Sequence, residues 1–257
     1  MLINKIQTNQ YNYNSSFKAY NKTVYDAVSH RFKYDTTTCF FRRDLDWKKF
    51  FNFLFQKYKN TDKVTVISHA ASDCEEAYSL AIGFLSGGNA GQKFLPVIAK
   101  DIDINNLNIA GKGIYNVGSV NELERIRSFT GQDYEKYFQV LSDKENRGIN
   151  SCTKIFNDTD FIKIKLSNML KKNVYFEQAD ILKDIFKLPQ ENTVLMLRNV
   201  WPYLKLKDMR AFAEVLANHL KSSSTLAIGL YDACWKVEDK LLQSGFKKTP
   251  VRFVYEL

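Results

Sequence analysis

Between residues 64 and 112 the hydrophobic pattern of the chain switches back and forth between strand and helix periods, and this alternation constrains the fold more than any other feature. Val64-Thr65-Val66-Ile67-Ser68 is a β-branched run suited to a buried strand, and Glu75 to Gly83 then reads as a helix ended by small residues. Gly87 to Gly91 is a glycine-rich loop, Phe94 to Ala99 a second strand, and Asn105 to Lys112 a second helix. Strand, helix, strand, helix at this spacing predicts an α/β fold built on a mostly parallel sheet.

The same alternation returns after residue 172. Asn173 to Phe176, Thr193 to Leu197, Thr225 to Leu230 and Arg252 to Glu256 read as strands, Asp180 to Phe186 as loop and turn, and Lys207 to Leu220 as an amphipathic helix. Ahead of the first strand, Leu45 to Phe55 spaces its large apolar groups helically, which predicts a helix over about 45–58. The stretch 116–172 breaks the rhythm: Val120 to Phe129 and Asp133 to Leu141 look helical, and Phe161-Ile162-Lys163-Ile164-Lys165 alternates like an edge strand. An inserted subdomain at about 117–172 is expected within a domain covering 36–257. Residues 1–35, rich in Asn, Tyr, Lys and Ser, are expected to form a partly ordered arm or short helical lead-in.

With 257 residues, 45% of them hydrophobic and 14% aromatic, the chain can bury a core without disulfides or metal. Cys39, Cys74, Cys152 and Cys234 lie far apart and form no CxxC pair, and only His30, His69 and His219 are available to join them, so no metal site is expected. The cysteines read as reduced thiols of a cytoplasmic protein, and the histidines as structural or surface residues. The N-terminus lacks an apolar signal core and nowhere do 18 apolar residues run together, which argues against secretion and membrane spanning. The net charge of +9 could suit an acidic protein partner, an acidic membrane face or nucleic acid, while the scattered lysines also fit a solvated surface. Nucleic acid is the less favoured partner, because no arginine-rich helix or RNA-binding aromatic motif accompanies the charge.

In a doubly wound sheet, ligands sit beyond the carboxyl ends of the strands where strand order reverses. The residues placed there are Ser68 to Glu76, Asp101 to Asp103, Asp180-Ile181 and Arg198 to Tyr203. Asp101 could accept hydrogen bonds from both hydroxyls of a ribose or could cap the following helix, a role open to Asp103 as well. Glu75 and Glu76 could meet a cationic ligand or simply favour the positive end of a helix dipole. Asn199 precedes Trp201-Pro202-Tyr203, a bulky loop able to wall a ligand or to join the core.

The segments SHAASDCEEAYSLAI (68–82), IAKDIDINNLNIAGKGIYN (98–116) and LRNVWPYL (197–204) together resemble the chemoreceptor glutamate methyltransferases, the CheR family of S-adenosylmethionine (SAM) enzymes. Thr38-Cys39-Phe40-Phe41-Arg42 resembles that family's T-x-F-F-R segment, and Val174 through Leu182 its strand ending in N-L-L, in matching order and spacing. The resemblance implies a Rossmann-like class I methyltransferase fold, SAM as cofactor with S-adenosylhomocysteine as product, and a carboxylate of a protein, a glutamate, as methyl acceptor. It implies cofactor contacts from Thr38, Arg42, Glu76, Asp101, Asp180, Ile181 and Asn199. Arg42, Arg198 and Tyr203 would lie near the transferred methyl and the substrate, while Glu75 would remain a helix-start charge. The family's β-subdomain, which grips a receptor tail in some members, is matched only by Tyr134 to Phe138 and Phe161 to Lys165. Two departures bear on the cofactor turn: Cys74 replaces a glycine and Ala77 a proline, and a side chain at a glycine position predicts a reshaped turn. Two rival readings follow, a degenerate family member kept as a binding or scaffold module, and a methyltransferase acting on nucleic acid or a small molecule.

Overall fold

The computed structural model describes residues 24–26, 31–33, 38–118, 120–145, 161–204 and 206–257. The expected arm at 1–35 falls outside them apart from β1 (Val24–Asp26) and β2 (Arg31–Lys33), which pair antiparallel. His30 and Cys152 also lie outside the described residues.

Helix α1 (Trp47–Lys57) starts where Asp46 accepts a hydrogen bond from the Lys49 amide at 3.1 Å. It buries Trp47, Phe50, Phe51 and Leu54, the i, i+3, i+4, i+7 stripe of an amphipathic helix. Strand β3 (Thr65–His69) leads into α2 (Glu75–Ser86), and the two elements are tied to α1 by its aromatic face. A Cβ on Gly83 of α2 would come within 2.0 Å of the Phe51 ring, so glycine is what lets that ring lie on the helix. Burial of each such ring is worth about 2 kcal/mol.

The glycine-rich stretch contains one helical turn, α3 (Asn89–Gln92), before β4 (Val97–Asp101) and α4 (Ile104–Lys112). Strand β5 (Ile114–Gly118) and α5 (Asn121–Thr130) follow, and a 3-10 helix spans Gly131–Lys136. The helix expected over Asp133 to Leu141 gives way to β6 (Phe138–Glu145), which pairs antiparallel with β7 (Phe161–Leu166). The three-stranded sheet has the order β5-β7-β6, so Phe161 to Lys165 is its centre and not an edge. Its partners on both sides come from segments whose own patterns are weak, and tertiary pairing decided the outcome.

After α6 (Asn168–Lys171) come β8 (Val174–Gln178) and the short helix α7 (Ile181–Asp184), where a loop and turn were expected. Asp180 caps α7 by accepting from the Leu182 amide, which turns the loop into a helix. The chain closes with β9 (Thr193–Met196), a 3-10 turn at Trp201–Tyr203, α8 (Leu206–His219), β10 (Thr225–Ala227), α9 (Leu230–Cys234), α10 (Val237–Gln243), β11 (Lys247–Lys248) and β12 (Val254–Glu256). Residues 228–230, expected as strand, therefore bend away from the sheet into α9.

The main sheet has seven strands in the order β11-β12-β10-β9-β3-β4-β8. Strands β8, β4, β3, β9 and β10 run parallel, and β12 is antiparallel to both neighbours. Side chains alternate between two hydrophobic layers. Val66, Val97, Val194 and Met196 face α1, α2 and the small sheet. Ile67, Leu195 and Leu226 face α8 and α10 through Met209, Phe212, Leu216 and Leu241. From β3 the chain steps outward through β4 to β8, then returns to β9 on the other side of β3. The order reverses between β3 and β9, and in sheets of this kind the ligand crevice lies at that point, outside the carboxyl ends of the strands.

Candidate cofactor and active site

Glu76, just after β3, and Arg198, just after β9, face each other across this reversal. Arg198 Nη1 donates to Glu76 Oε2 at 2.6 Å, and Ser68 Oγ donates to Glu76 Oε1 at 3.0 Å. Arg198 Nη2 also donates to Asp44 Oδ1, and the guanidinium lies 5.5 Å from the Trp47 ring centroid. Asp44 accepts further from the Leu230 amide at 3.0 Å and pairs with Arg42 Nε at 3.5 Å. Burial opposes the charge on Arg198, but Asp44 and Glu76 outweigh it and raise its pKa. Only 2% of the Arg198 side chain is exposed, so it is already committed to the chain's own carboxylates. The sequence pattern singled out neither Asp44 nor Trp47.

Arg42 and Thr38 arrive on the segment ahead of α1. Phe40 N donates to Glu122 of α5 and Phe41 N to Ser79 of α2, both at 2.9 Å, while the Phe41 ring stacks on Phe129 at 4.2 Å. These buried anchors fix where Arg42 emerges, and its carbonyl accepts from the Trp47 indole.

The loop from Ala70 to Cys74 is built on left-handed backbone, with φ of 56° at Ala70, 51° at Ser72 and 66° at Cys74. Each such residue costs on the order of 1 kcal/mol without glycine, a strain kept where the surroundings enforce it. The Ala71 amide donates to the Lys100 carbonyl at 3.0 Å and the Ser72 amide to Asp101 Oδ2 at 2.7 Å, and Tyr115 Oη donates to the Asp73 carbonyl at 2.7 Å. Cys74 thus takes a left-handed backbone conformation of the kind glycine favours. Its thiol is buried in the hydrophobic layer and donates to the Ser72 carbonyl.

Asp101 ends β4 with its side chain turned to this loop, accepting from Ser72 N and from Asp103 N at 2.8 Å. Burial raises its pKa, opposed by those two amides. Asp103 is the residue that caps α4, by accepting from Asn105 N, so the capping alternative for Asp101 does not hold. Glu75 is not a solvated helix-start charge: burial first, and then the negative charges of Asp73 and Glu122, push it up to about 8, so it carries a proton at neutral pH.

Beyond β9, Asn199 adopts φ 60°, and Asp232 of α9 fastens the loop around it. Asp232 accepts from Asn199 N at 2.6 Å, Gly229 N at 2.7 Å and Trp201 N at 3.1 Å. Asn199 Oδ1 in turn accepts from Tyr231 N, and a Cβ on Gly229 would stand 2.3 Å from that oxygen. Trp201 is wholly buried and Tyr203 half-buried one 3-10 turn beyond Arg198. Asp232 escaped the sequence reading; at N3 of α9 it reaches back to the Gly229 amide, the acidic half of a capping box. Asp180 and Ile181 stand apart from the Arg198 cluster, at the end of β8. Asp180 caps α7, and Ile181 packs into the layer beneath the sheet.

His69 is buried at the end of β3, where burial pushes its pKa down to about 4 and leaves the ring neutral. His219 bonds the Leu188 carbonyl at 2.7 Å, a structural role as expected. Among the described residues no cluster of metal-ligating side chains occurs, no helix is long and apolar enough to cross a membrane, and Cys74 and Cys234 are free thiols.

The residues at the reversal fit SAM. Ser72 Oγ, Glu75 Oε2 and Arg198 Nε are among the buried polar atoms without a hydrogen-bond partner among the described residues, and they lie on the loop and helix start after β3 and on the loop after β9. Asp101 retains acceptor capacity for ribose hydroxyls, and Glu76 offers a carboxylate to an ammonium.

A curated chemotaxis protein methyltransferase of Borreliella burgdorferi is 26% identical over 205 residues, which is 75% of this chain and 62% of that protein, so the chain spans less than two thirds of its relative. Among solved structures, a precorrin-6y C5,15-methyltransferase from Geobacter metallireducens superposes with a TM-score of 0.39 at 9% identity, covering 81% of this chain and 76% of that one. A magnesium protoporphyrin IX methyltransferase from Synechocystis PCC 6803, solved with bound SAM, gives a TM-score of 0.38 at 11% identity over 81% of this chain and 76% of that one. The family described as CheR methyltransferase, SAM binding domain, matches residues 36–249, and the chain belongs to that family, with its class I fold and with SAM as its cofactor.

Proposed function

We propose that the chain transfers a methyl group from SAM to a carboxylate of a protein substrate. The observation that carries this reading is the Glu76–Arg198 pair at 2.6 Å across the strand-order reversal, flanked by Asp101 on one side and the Asp232-fastened loop on the other. SAM supplies an activated methyl on a sulfonium, and a carboxylate acceptor is nucleophilic without a general base. The protein's task is then to orient the acceptor and exclude water. Asp101 and Ser72 would hold the ribose end, Asp180 and Ile181 the adenine side, and Glu76 with Thr38 and Arg42 the methionine end. Asn199 and Tyr203 would line the reacting end. Arg198 acts from beneath as the charged floor of the site, fixing Glu76 and Asp44 by charge-assisted hydrogen bonds. Arg42, paired with Asp44 and with 19% of its side chain exposed, would meet an acidic substrate. The name of the Borreliella relative and the net charge of +9 both support a protein substrate of acidic character. The test is incubation with methyl-labelled SAM and an extract of the source cells. Label that enters protein and is released as methanol by mild base is the expected result, and label confined to base-stable products or nucleic acid would overturn the carboxylate assignment.

A further inference from the structure

The loop with three left-handed residues needs something to hold its first turn, and one buried side chain is placed to do so. His69 is the last residue of β3 and is 2% exposed. Its Nδ1 accepts the amide of Ala70, the first of the three left-handed residues, at 3.0 Å. Its Nε2 stands 3.4 Å from Asp184 Oδ2, to which Lys100 Nζ also pairs at 2.9 Å, and Lys100 reaches Glu177 at 3.1 Å. Lys100 and Asp184 are themselves buried, and the Lys100 carbonyl takes the Ala71 amide. The cluster therefore joins the ends of β3 and β4 to α7, which begins at Asp180. These are three of the segments that flank the crevice.

We propose that His69 is a positioning residue that holds the cofactor loop in its binding conformation through Nδ1, with the Asp184 carboxylate 3.4 Å from Nε2 on the other side of the ring; this rests on the reading of that loop as the SAM site. Because Nδ1 accepts, it carries no proton, and the ring hydrogen belongs to Nε2, facing the carboxylate of Asp184. The cation of Lys100 beside it, together with burial, disfavours a second proton. A histidine needed only to fill space would show no preference between its two amide mimics. Asparagine places an oxygen where Nδ1 lies and keeps an acceptor for Ala70, whereas glutamine places its polar end where Nε2 lies and loses that acceptor.

The experiment is calorimetric titration of S-adenosylhomocysteine into wild type, His69→Asn and His69→Gln, with thermal melting of each. His69→Asn is expected within about threefold of the wild-type Kd, and His69→Gln about tenfold weaker at a comparable Tm, the scale of one lost buried hydrogen bond. Equal affinities in the two variants, with wild type binding, would overturn the positioning role. No binding by wild type would instead overturn the cofactor reading. Nitrogen NMR of the wild-type chain needs no variant: a bare Nδ1 with protonated Nε2 at neutral pH is expected, and a protonated Nδ1 contradicts the proposal.

Discussion

Two buried aspartates, Asp101 and Asp232, each fasten a loop at the carboxyl end of the sheet, and they differ in how much of their bonding capacity the protein itself consumes. Asp232 is fully buried and takes three backbone amides, those of Asn199, Gly229 and Trp201. Asp101 takes two, those of Ser72 and Asp103, and remains 7% exposed. A carboxylate has roughly four lone-pair sites, so Asp101 can still accept from a ligand without giving up its loop. Spare acceptors at a loop mouth mark a binding residue, and saturation inside the core marks a scaffold residue.

Asp232→Ala tests the scaffold side and carries the largest expected effect. Three amides lose their acceptor in a dry site, and urea denaturation should show a loss of about 3–5 kcal/mol. A loss below about 1 kcal/mol would show that the loop does not depend on this carboxylate.

Glu75 sharpens the comparison through pH. Its folded pKa of about 8 lies above the ordinary 4.5, so across that window the folded chain keeps a proton that the unfolded chain releases. Stability therefore falls as pH rises through it. Glu75→Gln cannot ionise and should flatten that decline, gaining about 1–3 kcal/mol over wild type at about pH 9 in urea titrations. Parallel pH profiles for the two proteins would place the proton elsewhere.

Gly229→Ala probes how closely Asn199 is held. The added Cβ must displace the Asn199 oxygen, and a loss of about 1–2 kcal/mol is expected, with melting unchanged if the loop yields freely. Cys74→Gly is the smallest change. Relief of the left-handed φ and loss of a buried thiol oppose each other, so stability should move by less than about 1 kcal/mol and the Kd for S-adenosylhomocysteine by less than about threefold. An affinity gain of about tenfold would mean that the sulfur obstructs the turn after all.

What the sequence revealed follows the same division. The strands at 65–69, 97–101 and 193–196 were legible because their residues are largely buried and their cores are apolar or β-branched. Asp101 could be found because it ends such a strand, and Glu76 because it lies in the first turn of the helix after one. Residues 138–141 were misread as helix, since a strand in a small sheet is set by its partner β7 and not by its own pattern. Asp44, Asp232 and His69 stayed hidden because their significance lies in contacts across 154, 33 and 115 residues, the last between His69 and Asp184. The expected cost of Cys74 also could not be judged from sequence, because only the structure shows its thiol packed into the core.

The most direct measurement is calorimetric titration of SAM and S-adenosylhomocysteine into wild type and Asp101→Ala, with melting of each protein. The account predicts saturable binding to wild type, weakened at least about 100-fold in a folded Asp101→Ala protein. Absence of heat with either ligand in wild type, or undiminished affinity in the variant, would contradict it.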